Sequence, residues 1–221
     1  MDNLTLVIPA KYEKESLPSV LRELEKYNTK ITIVLEESDK ETISSIKEFN
    51  CDVLFQKGKG YGDALIQGIN SVETEYFCIF NADGSFKPEE LNGMLDLSTN
   101  HNYDLIFGSR YEQDSSSEDD TLITFIGNKI FSLIGKIFFS LPISDILYTF
   151  VLGKTKKVND LNLTSKDFCF CVELPIKAYK NNLNLISSPA NERKRIAGTK
   201  KVNAFKDGFK ILISMIKLKF S

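Results

Sequence analysis

One apolar strand that ends in an acidic turn constrains this chain more than any other feature. Residues 76–80 are aromatic, β-branched or small, and such a run is typical of a strand covered on both faces in a parallel sheet. Asn81, Ala82, Asp83 and Gly84 follow at once. An aspartate at the carboxyl end of such a strand lies where open α/β sheets bind their ligands.

The side chains of this turn indicate a site for a hard cation. Mg²⁺ or Mn²⁺ takes oxygen ligands, usually one or two protein carboxylates together with substrate phosphates. Asp83 can supply a carboxylate, and Asn81, on the same side of the strand end, offers a neutral carbonyl oxygen. The same four residues are equally typical of a plain turn, so the prediction depends on what surrounds them.

Size and charge exclude some classes of protein. The chain has 221 residues, 42% of them hydrophobic and 26% charged, which suits one domain with a substantial core. A formal net charge of −2 gives no indication of a nucleic-acid partner. Four cysteines without framework spacing predict buried free thiols in a reducing cytosol, and no signal-peptide pattern opens the chain, so we expect a cytoplasmic protein.

Strands and helices alternate along the first half of the chain. Apolar patterns predict strands over 4–8, 31–35, 52–56, 76–80 and 104–108, and helices over 16–27, 42–49, 64–72 and 88–97. This alternation predicts a mostly parallel sheet with flanking helices, in which strands one, two and four end at the same edge. We expect that edge to collect Glu13, Glu36, Glu37, Asn81 and Asp83.

The second half carries two amphipathic patterns and one short apolar run. Helical spacing over 122–141 places isoleucines on one stripe beside Lys129, Ser132 and Lys136; such stripes are mostly core faces, and the alternative is a surface on lipid. The run 168–174 is interpreted as a strand. The last segment has an apolar face flanked by lysines, which indicates either binding to anionic lipid or packing on its own domain.

Six segments in order resemble inverting glycosyltransferases of family two, particularly the branch of dolichyl-phosphate mannosyltransferase and bacterial polyprenyl-phosphate sugar transferases. They are residues 7–18, 33–38, 81–83, 104–111, 144–150 and 193–201, which are similar to the family's opening IPTYNEREN-LP, VVDDGS, Asp-x-Asp, DIVIGSRY, SD-x-x-x-G-F-R and R-x-x-G-x-S-K segments. The resemblance implies an A-type glycosyltransferase fold, Rossmann-like and α/β. The catalytic domain would span 1–203, and 204–221 would form a basic amphipathic C-terminal helix.

The resemblance also implies a role for each matching residue. Asp83, with Asn81, would hold Mg²⁺ or Mn²⁺ on the diphosphate of a UDP- or GDP-sugar. Asp145 matches the second acidic position and would accept a proton from the acceptor or position an acceptor phosphate. The nucleotide sugar would be held by Pro9, Ala10, Glu13, Glu36 or Glu37, Asn81 and Ala82, with Arg110, Lys129, Arg193 and Lys201 as cations.

The leading hypothesis is therefore a metal-dependent transferase that moves a sugar, with inversion, to a polyprenyl phosphate or a lipid-linked glycan. It would contact the cytoplasmic face of a membrane peripherally, as a monomer or a homodimer. Asn81, Thr149 and Val151 depart from the family pattern and motivate an alternative, a non-catalytic protein that binds a nucleotide sugar or a partner enzyme. A sugar nucleotidyltransferase is a third hypothesis, but the residues after the first strand lack its glycine-rich loop.

Overall fold

The computed structural model describes residues 1–198 and 201–220. Its first half contains β1 (Leu4–Pro9), α1 (Leu17–Leu24), β2 (Lys30–Leu35), α2 (Lys40–Ser45), β3 (Asp52–Phe55), α3 (Tyr61–Asn70), β4 (Tyr76–Ile79), α4 (Leu91–Thr99) and β5 (Leu105–Ser109). Its second half contains β6 (Ser116–Ser117), α5 (Leu122–Phe139), β7 (Val151–Lys154), α6 (Thr155–Asn159), α7 (Phe170–Lys180), β8 (Leu185–Pro189), β9 (Asn191–Glu192) and α8 (Ala204–Phe220).

A seven-stranded sheet carries the fold, in the order β3-β2-β1-β4-β7-β5-β8. All neighbouring strands are parallel except for β7, which runs antiparallel to both β4 and β5. The predicted α/β fold with a mostly parallel sheet and flanking helices is thus confirmed. A separate two-stranded ribbon joins β6 to β9 and brings the segment after β5 next to the segment after β8.

Alternating side chains divide the core into two layers, one on each face of the sheet. Along β1, Leu4, Leu6 and Ile8 point into the layer that contains α1 and α4, whereas Val7 points into the layer that contains α3 and α7. The side chains of β4 alternate in the same way, with Cys78 in the layer of α1 and Phe77 in the layer of α3. Because both faces are covered, the central strands read as continuous apolar runs in the sequence.

The strand predicted over 168–174 is wrong, because the structure forms helix α7 there. Phe170, Val172, Leu174 and Ile176 are all buried, so this helix is apolar on most of its circumference. The first seven residues of α7, 170–176, are all buried, and over so short an apolar run a helix is indistinguishable from a buried strand.

Helix α5 forms as predicted, but most of its isoleucine stripe does not pack in the core. Ile123, Ile130 and Ile137 are more than half exposed, whereas Ser132 and Gly135 are the buried residues of the helix. A Cβ on Gly135 would lie only 3.1 Å from Ile146, so the small residues let α5 approach the domain closely. Most of the expected core face is therefore exposed, and of the same stripe only Ile134 and Leu141 pack against the core.

Helix α8 packs beside α5 and α7, with Ile211 and Met215 joining the core layer of α7. Leu218 packs partly against the same layer, and the other large apolar side chains of α8 are exposed. By length and composition α5 could cross a bilayer, and most of its residues are not buried. The division of the chain at residue 203 stays a prediction.

Candidate active site

The turn after β4 presents Asp83 at the carboxyl edge of the sheet. Gly84 follows at φ +80°, and the Ser85 backbone N–H donates to Asp83 Oδ1 at 3.0 Å. This bend fixes the direction of the carboxylate, which is 15% exposed. Ala82 is buried, and Asn81 Nδ2 donates to Ser85 Oγ at 3.3 Å, so its amide supports the turn.

A segment from the far end of the chain, residues 193–198, lies directly against this turn; we call it the strap. Its backbone pairs with the turn, since Arg193 N donates to Ser85 O and Ile196 N donates to Asp83 O, both at 2.8 Å. Arg195 Nη1 lies 3.4 Å from Asp83 Oδ2. The strap therefore places a guanidinium against the carboxylate predicted to hold a metal.

Arg195 also contacts a second carboxylate, because its Nη2 lies 2.9 Å from Asp119 Oδ2. Asp119 belongs to residues 112–120, an acidic segment that the β6–β9 ribbon joins to the residues just before the strap. Sequence reasoning missed Arg195 and Asp119. The sequence does contain a signal for Arg195. It stands three residues before Gly198, which is the spacing of the arginine and glycine in the family's R-x-x-G segment. Thr199 and Lys200 of that segment lie outside the described residues.

The predicted donor residues of β1 converge on the same edge. Pro9 ends β1, and Ala10 is buried with its N–H donating to Val34 O at 2.8 Å. Glu13 is buried, accepts a hydrogen bond from Ser16 Oγ at 2.7 Å and is ion-paired with Lys201 Nζ. The structure thus brings Glu13 and Lys201 together, and Lys201 also donates to the carbonyl of Lys11.

The two glutamates after β2 have different surroundings. Glu36 lies 2.8 Å from Lys11 Nζ, and this hydrogen bond lowers its pKa. The side chain of Glu37 is 73% exposed and lies 3.7 Å from Lys40. Glu36 therefore stands beside the turn that leads to Glu13, whereas Glu37 projects into solvent.

A second ionic cluster surrounds Arg110, which is 9% exposed. Its guanidinium holds both oxygens of Asp145, with Nε–Oδ2 at 2.8 Å and Nη2–Oδ1 at 3.1 Å. Nη1 lies 3.4 Å from Asp120 and 3.3 Å from Glu192. Burial is the largest influence on the pKa of Glu192 and raises it, although Arg110 opposes this. Asp145 is fully buried, so in this arrangement it holds and orients Arg110.

The remaining predicted cations, Lys129 and Arg193, lie elsewhere. Lys129 Nζ sits over the ring of Tyr111, 4.2 Å from its centroid. The Arg193 side chain donates to Glu23 at 2.9 and 3.2 Å and to the carbonyl of Phe86 at 2.8 Å. Arg193 therefore anchors the strap to α1, and Arg195 is the strap arginine that reaches Asp83.

The carboxylates fit a cation that is shared with a substrate, and not a metal held by protein alone. Within residues 1–198 and 201–220, no group of three or more His, Cys, Asp or Glu side chains is arranged to hold a metal ion. Asp83 and Asp119 nevertheless flank one position, since both contact Arg195. One or two carboxylates completed by phosphate oxygens is the usual ligand set of Mg²⁺ at nucleotides.

Comparison with known proteins assigns the family. Residues 5–161 match the family described as Glycosyl transferase family 2. The UDP-N-acetylglucosamine–dolichyl-phosphate N-acetylglucosaminyltransferase of Methanococcus voltae is 23% identical over 94% of this chain and 94% of its own length. The low-salt glycan biosynthesis hexosyltransferase Agl6 of Haloferax volcanii is 22% identical over 94% of this chain and 51% of its own length.

Solved structures show the same fold. Glucosyl-3-phosphoglycerate synthase from Mycobacterium tuberculosis, in complex with Mn²⁺ and UDP-glucose, superimposes with a TM-score of 0.78 at 12% identity, covering 98% of this chain and 79% of that one. The expected A-type glycosyltransferase fold is confirmed. The chain belongs to glycosyl transferase family 2 and is a glycosyltransferase.

Proposed function

We propose that this glycosyltransferase moves a hexose, with inversion, from a nucleoside diphosphate sugar to a polyprenyl phosphate or a lipid-linked glycan. One observation carries the proposal. Asp83, Glu13 and the basic strap, which come from three distant parts of the sequence, meet at the carboxyl edge of β1 and β4. That edge is where open α/β sheets bind nucleotides.

The donor's base and ribose would lie along the ends of β1 and β2. The backbone after Pro9 and Ala10 runs at the edge, and the carboxylates of Glu13 and Glu36 can accept hydrogen bonds from ribose hydroxyls. Both carboxylates are held in place by a lysine, which fixes their positions before a ligand binds. The UDP of the M. tuberculosis structure and the UDP-linked sugar in the M. voltae enzyme's name support a uridine donor.

A diphosphate that binds at this edge needs positive charge beside the carboxylates of Glu13, Asp83 and Asp119. Within residues 1–198 and 201–220, Lys201 pairs with Glu13, and Arg195 is shared between Asp83 and Asp119. Mg²⁺ or Mn²⁺ held by Asp83, with the carbonyl of Asn81 nearby, would supply that charge and stabilise the leaving diphosphate.

Asp145 would serve the acceptor through Arg110. With both carboxylate oxygens engaged by the guanidinium, Asp145 keeps Arg110 charged and aligned beside Tyr148, whose ring lies 4.5 Å away. An arginine held in this way can position an acceptor phosphate, whose ionised oxygen needs no strong base to attack the sugar. Removal of a proton by Asp145 itself would first require Arg110 to release it.

An exposed apolar surface on α5 and α8 suits a lipid-linked acceptor. The two helices touch, since Lys219 Nζ donates to the Phe138 carbonyl at 2.5 Å. We call the exposed apolar side chains the α5–α8 face: Leu122, Ile123, Phe125, Ile126, Ile130, Leu133, Ile137 and Phe138 of α5, and Phe205, Phe209, Leu212, Ile213, Ile216 and Phe220 of α8.

Exposed lysines accompany this face: Lys129, Lys136, Lys206, Lys210, Lys217 and Lys219. Apolar side chains with a lysine rim fit the boundary of an anionic membrane, where each lysine contributes about 1 kcal/mol to binding.

Co-sedimentation with lipid vesicles tests this surface. The protein should pellet with vesicles of anionic phosphatidylglycerol and should stay in solution with vesicles of neutral phosphatidylcholine. The double variant Ile213→Ser/Ile216→Ser should lose binding, whereas Val53→Ser on the edge strand should keep it. Equal binding of both lipids, or a stable dimer that buries the face and binds no vesicle, would contradict the membrane part of the proposal.

Transfer itself is tested with purified protein, MnCl₂, a panel of UDP- and GDP-hexoses and a short polyprenyl phosphate. Mass spectrometry should detect a sugar–lipid product with the anomeric configuration opposite to that of the donor. The Asp83→Ala variant should lose the product while keeping its fold, as judged by circular dichroism. Absence of product with every donor, or full activity of Asp83→Ala, would overturn the proposal.

A non-catalytic binding protein is the second candidate. Thr149 and Val151 replace the glycine and arginine of the family segment; the Thr149 hydroxyl bonds to Tyr61 at 2.7 Å, and Val151 is buried in β7. Neither side chain offers an acceptor phosphate a charge. Stabilisation by UDP without metal, together with absent turnover, would favour this candidate.

A further inference from the structure

We propose that Arg195 holds Asp83 in the nucleotide-free protein and yields it to a divalent cation only when a nucleoside diphosphate arrives with that cation. This inference rests on the proposed function, and it adds a coupling between the two ligands. Its basis is the position of the Arg195 guanidinium, 3.4 Å from Asp83 and 2.9 Å from Asp119, where a metal ion at these carboxylates would also lie.

The exchange requires only a side-chain movement. The strap backbone is bonded to the turn on both sides of Arg195, through Arg193 N to Ser85 O and Ile196 N to Asp83 O. The Ile196 side chain fills the space above Gly84, where a Cβ would lie 2.5 Å from it. The strap therefore stays in place while the guanidinium, which is 22% exposed, rotates away from Asp83.

Charge favours a joint arrival of nucleotide and cation. A cation that comes alone displaces Arg195 and leaves its guanidinium without the Asp83 carboxylate. A diphosphate that comes alone meets the carboxylates of Asp83 and Asp119, which the Arg195 guanidinium contacts. When both arrive, Arg195 moves from a carboxylate to phosphate oxygens, which its planar fork binds equally well. Each ligand then raises the affinity for the other, as linkage requires.

The test measures binding of Mn²⁺ in the absence of any sugar donor. Electron paramagnetic resonance of free Mn²⁺ gives its affinity for the wild type, for Arg195→Gln and for Lys194→Gln, with and without UDP. Lys194 is the matched control, because it is an exposed neighbour on the strap and loses the same charge. Without UDP, Arg195→Gln should bind Mn²⁺ roughly threefold to tenfold more tightly than the wild type, as expected for loss of one competing ion pair.

With UDP present, the same variant should bind Mn²⁺ no more tightly than the wild type, so the gain in affinity from UDP shrinks by about the same factor. A merely structural role of Arg195 would weaken Mn²⁺ binding in both conditions and would overturn the inference, as would an unchanged affinity without UDP. If Arg195→Gln gains Mn²⁺ affinity but no donor is ever turned over, the inference stands and the proposed function fails. If turnover is found and the Mn²⁺ affinity of Arg195→Gln equals that of the wild type, the proposed function stands and the inference fails.

Discussion

Replacing Arg110 by methionine tests the ionic cluster that Arg110, directly after β5, forms with Asp120 of the acidic segment, Asp145, and Glu192 of β9. The guanidinium contacts Asp145, Asp120 and Glu192 at 2.8 to 3.4 Å, and these side chains are nearly or fully inaccessible to water. Methionine preserves most of the volume and removes the charge. Three carboxylates would then face one another without a cation.

Removal of one partner from a buried ion pair costs about 3–5 kcal/mol, because the other charge stays buried without compensation. Arg110 serves three carboxylates, so we expect the upper part of that range. For a chain of this size, each kcal/mol lowers the melting temperature by about 2–4 °C, which predicts a fall of roughly 8–20 °C.

The loss should also depend on pH. Burial already raises the pKa of Glu192 against the pull of Arg110, and without Arg110 that pKa rises further. The folded variant then binds protons more readily than its unfolded chain, so its stability is present at low pH and falls as the pH rises through the raised pKa. The difference from the wild type should therefore be smaller at pH 5 than at pH 8.

Urea denaturation of both proteins at pH 5 and pH 8 measures these differences. Arg22→Met is the matched control, because Arg22 is 60% exposed and its ion pair with Glu48 spans 3.7 Å, so its loss should cost at most about 1 kcal/mol. The double variant Arg110→Met/Asp145→Leu should recover part of the stability by removing one stranded charge. A cost of less than about 1 kcal/mol for Arg110→Met at pH 8 would refute the reasoning.

Two further predictions concern the turn at Asp83 and the start of α7. Gly84→Ala introduces a side chain at φ +80° and against Ile196, so it should destabilise the fold by about 1–2 kcal/mol in thermal denaturation and weaken UDP binding. Gly93→Ala is the control, because the space around Gly93 is open, and it should not destabilise the fold. Burial, the largest influence, raises the pKa of Glu173, but Lys177 and the backbone N–H groups of 164–165 outweigh it and the pKa is lowered. The stability that Glu173 contributes is thus present above its ordinary pKa of about 4.3 and lost as the pH falls below it, and Glu173→Gln should flatten that acid limb in urea titrations. An unchanged acid limb would contradict this assignment.

The central strands could be predicted from sequence because burial on both faces leaves an unbroken apolar run, as in β1, β2 and β4. The same property hid the start of α7, because residues 170–176 are all buried and show no helical period. The direction of β7 and its place between β4 and β5 depend on pairings between distant segments, which a local pattern does not encode. The side of α5 that packs is set by Ser132 and Gly135, whose small size carries no hydrophobic signal.

The candidate site was also predictable only in part. Asp83 and Glu13 could be located because each follows a strand, and parallel strands end at one edge. The family resemblance named Lys201 but not Arg195, and both reach their carboxylates from more than a hundred residues away, a separation that no local pattern spans. The R-x-x-G spacing favours Arg195 over the predicted Arg193, and the fold agrees, because the Arg193 side chain turns toward Glu23.

Calorimetric titration of UDP with and without MnCl₂ tests the central claim most directly, that Asp83 binds a nucleoside diphosphate through a divalent cation. The wild type should bind UDP at least about tenfold more tightly with Mn²⁺, and Asp83→Asn, which keeps the shape of the side chain, should abolish that gain. UDP binding by Asp83→Asn with the full Mn²⁺ dependence of the wild type would contradict the account.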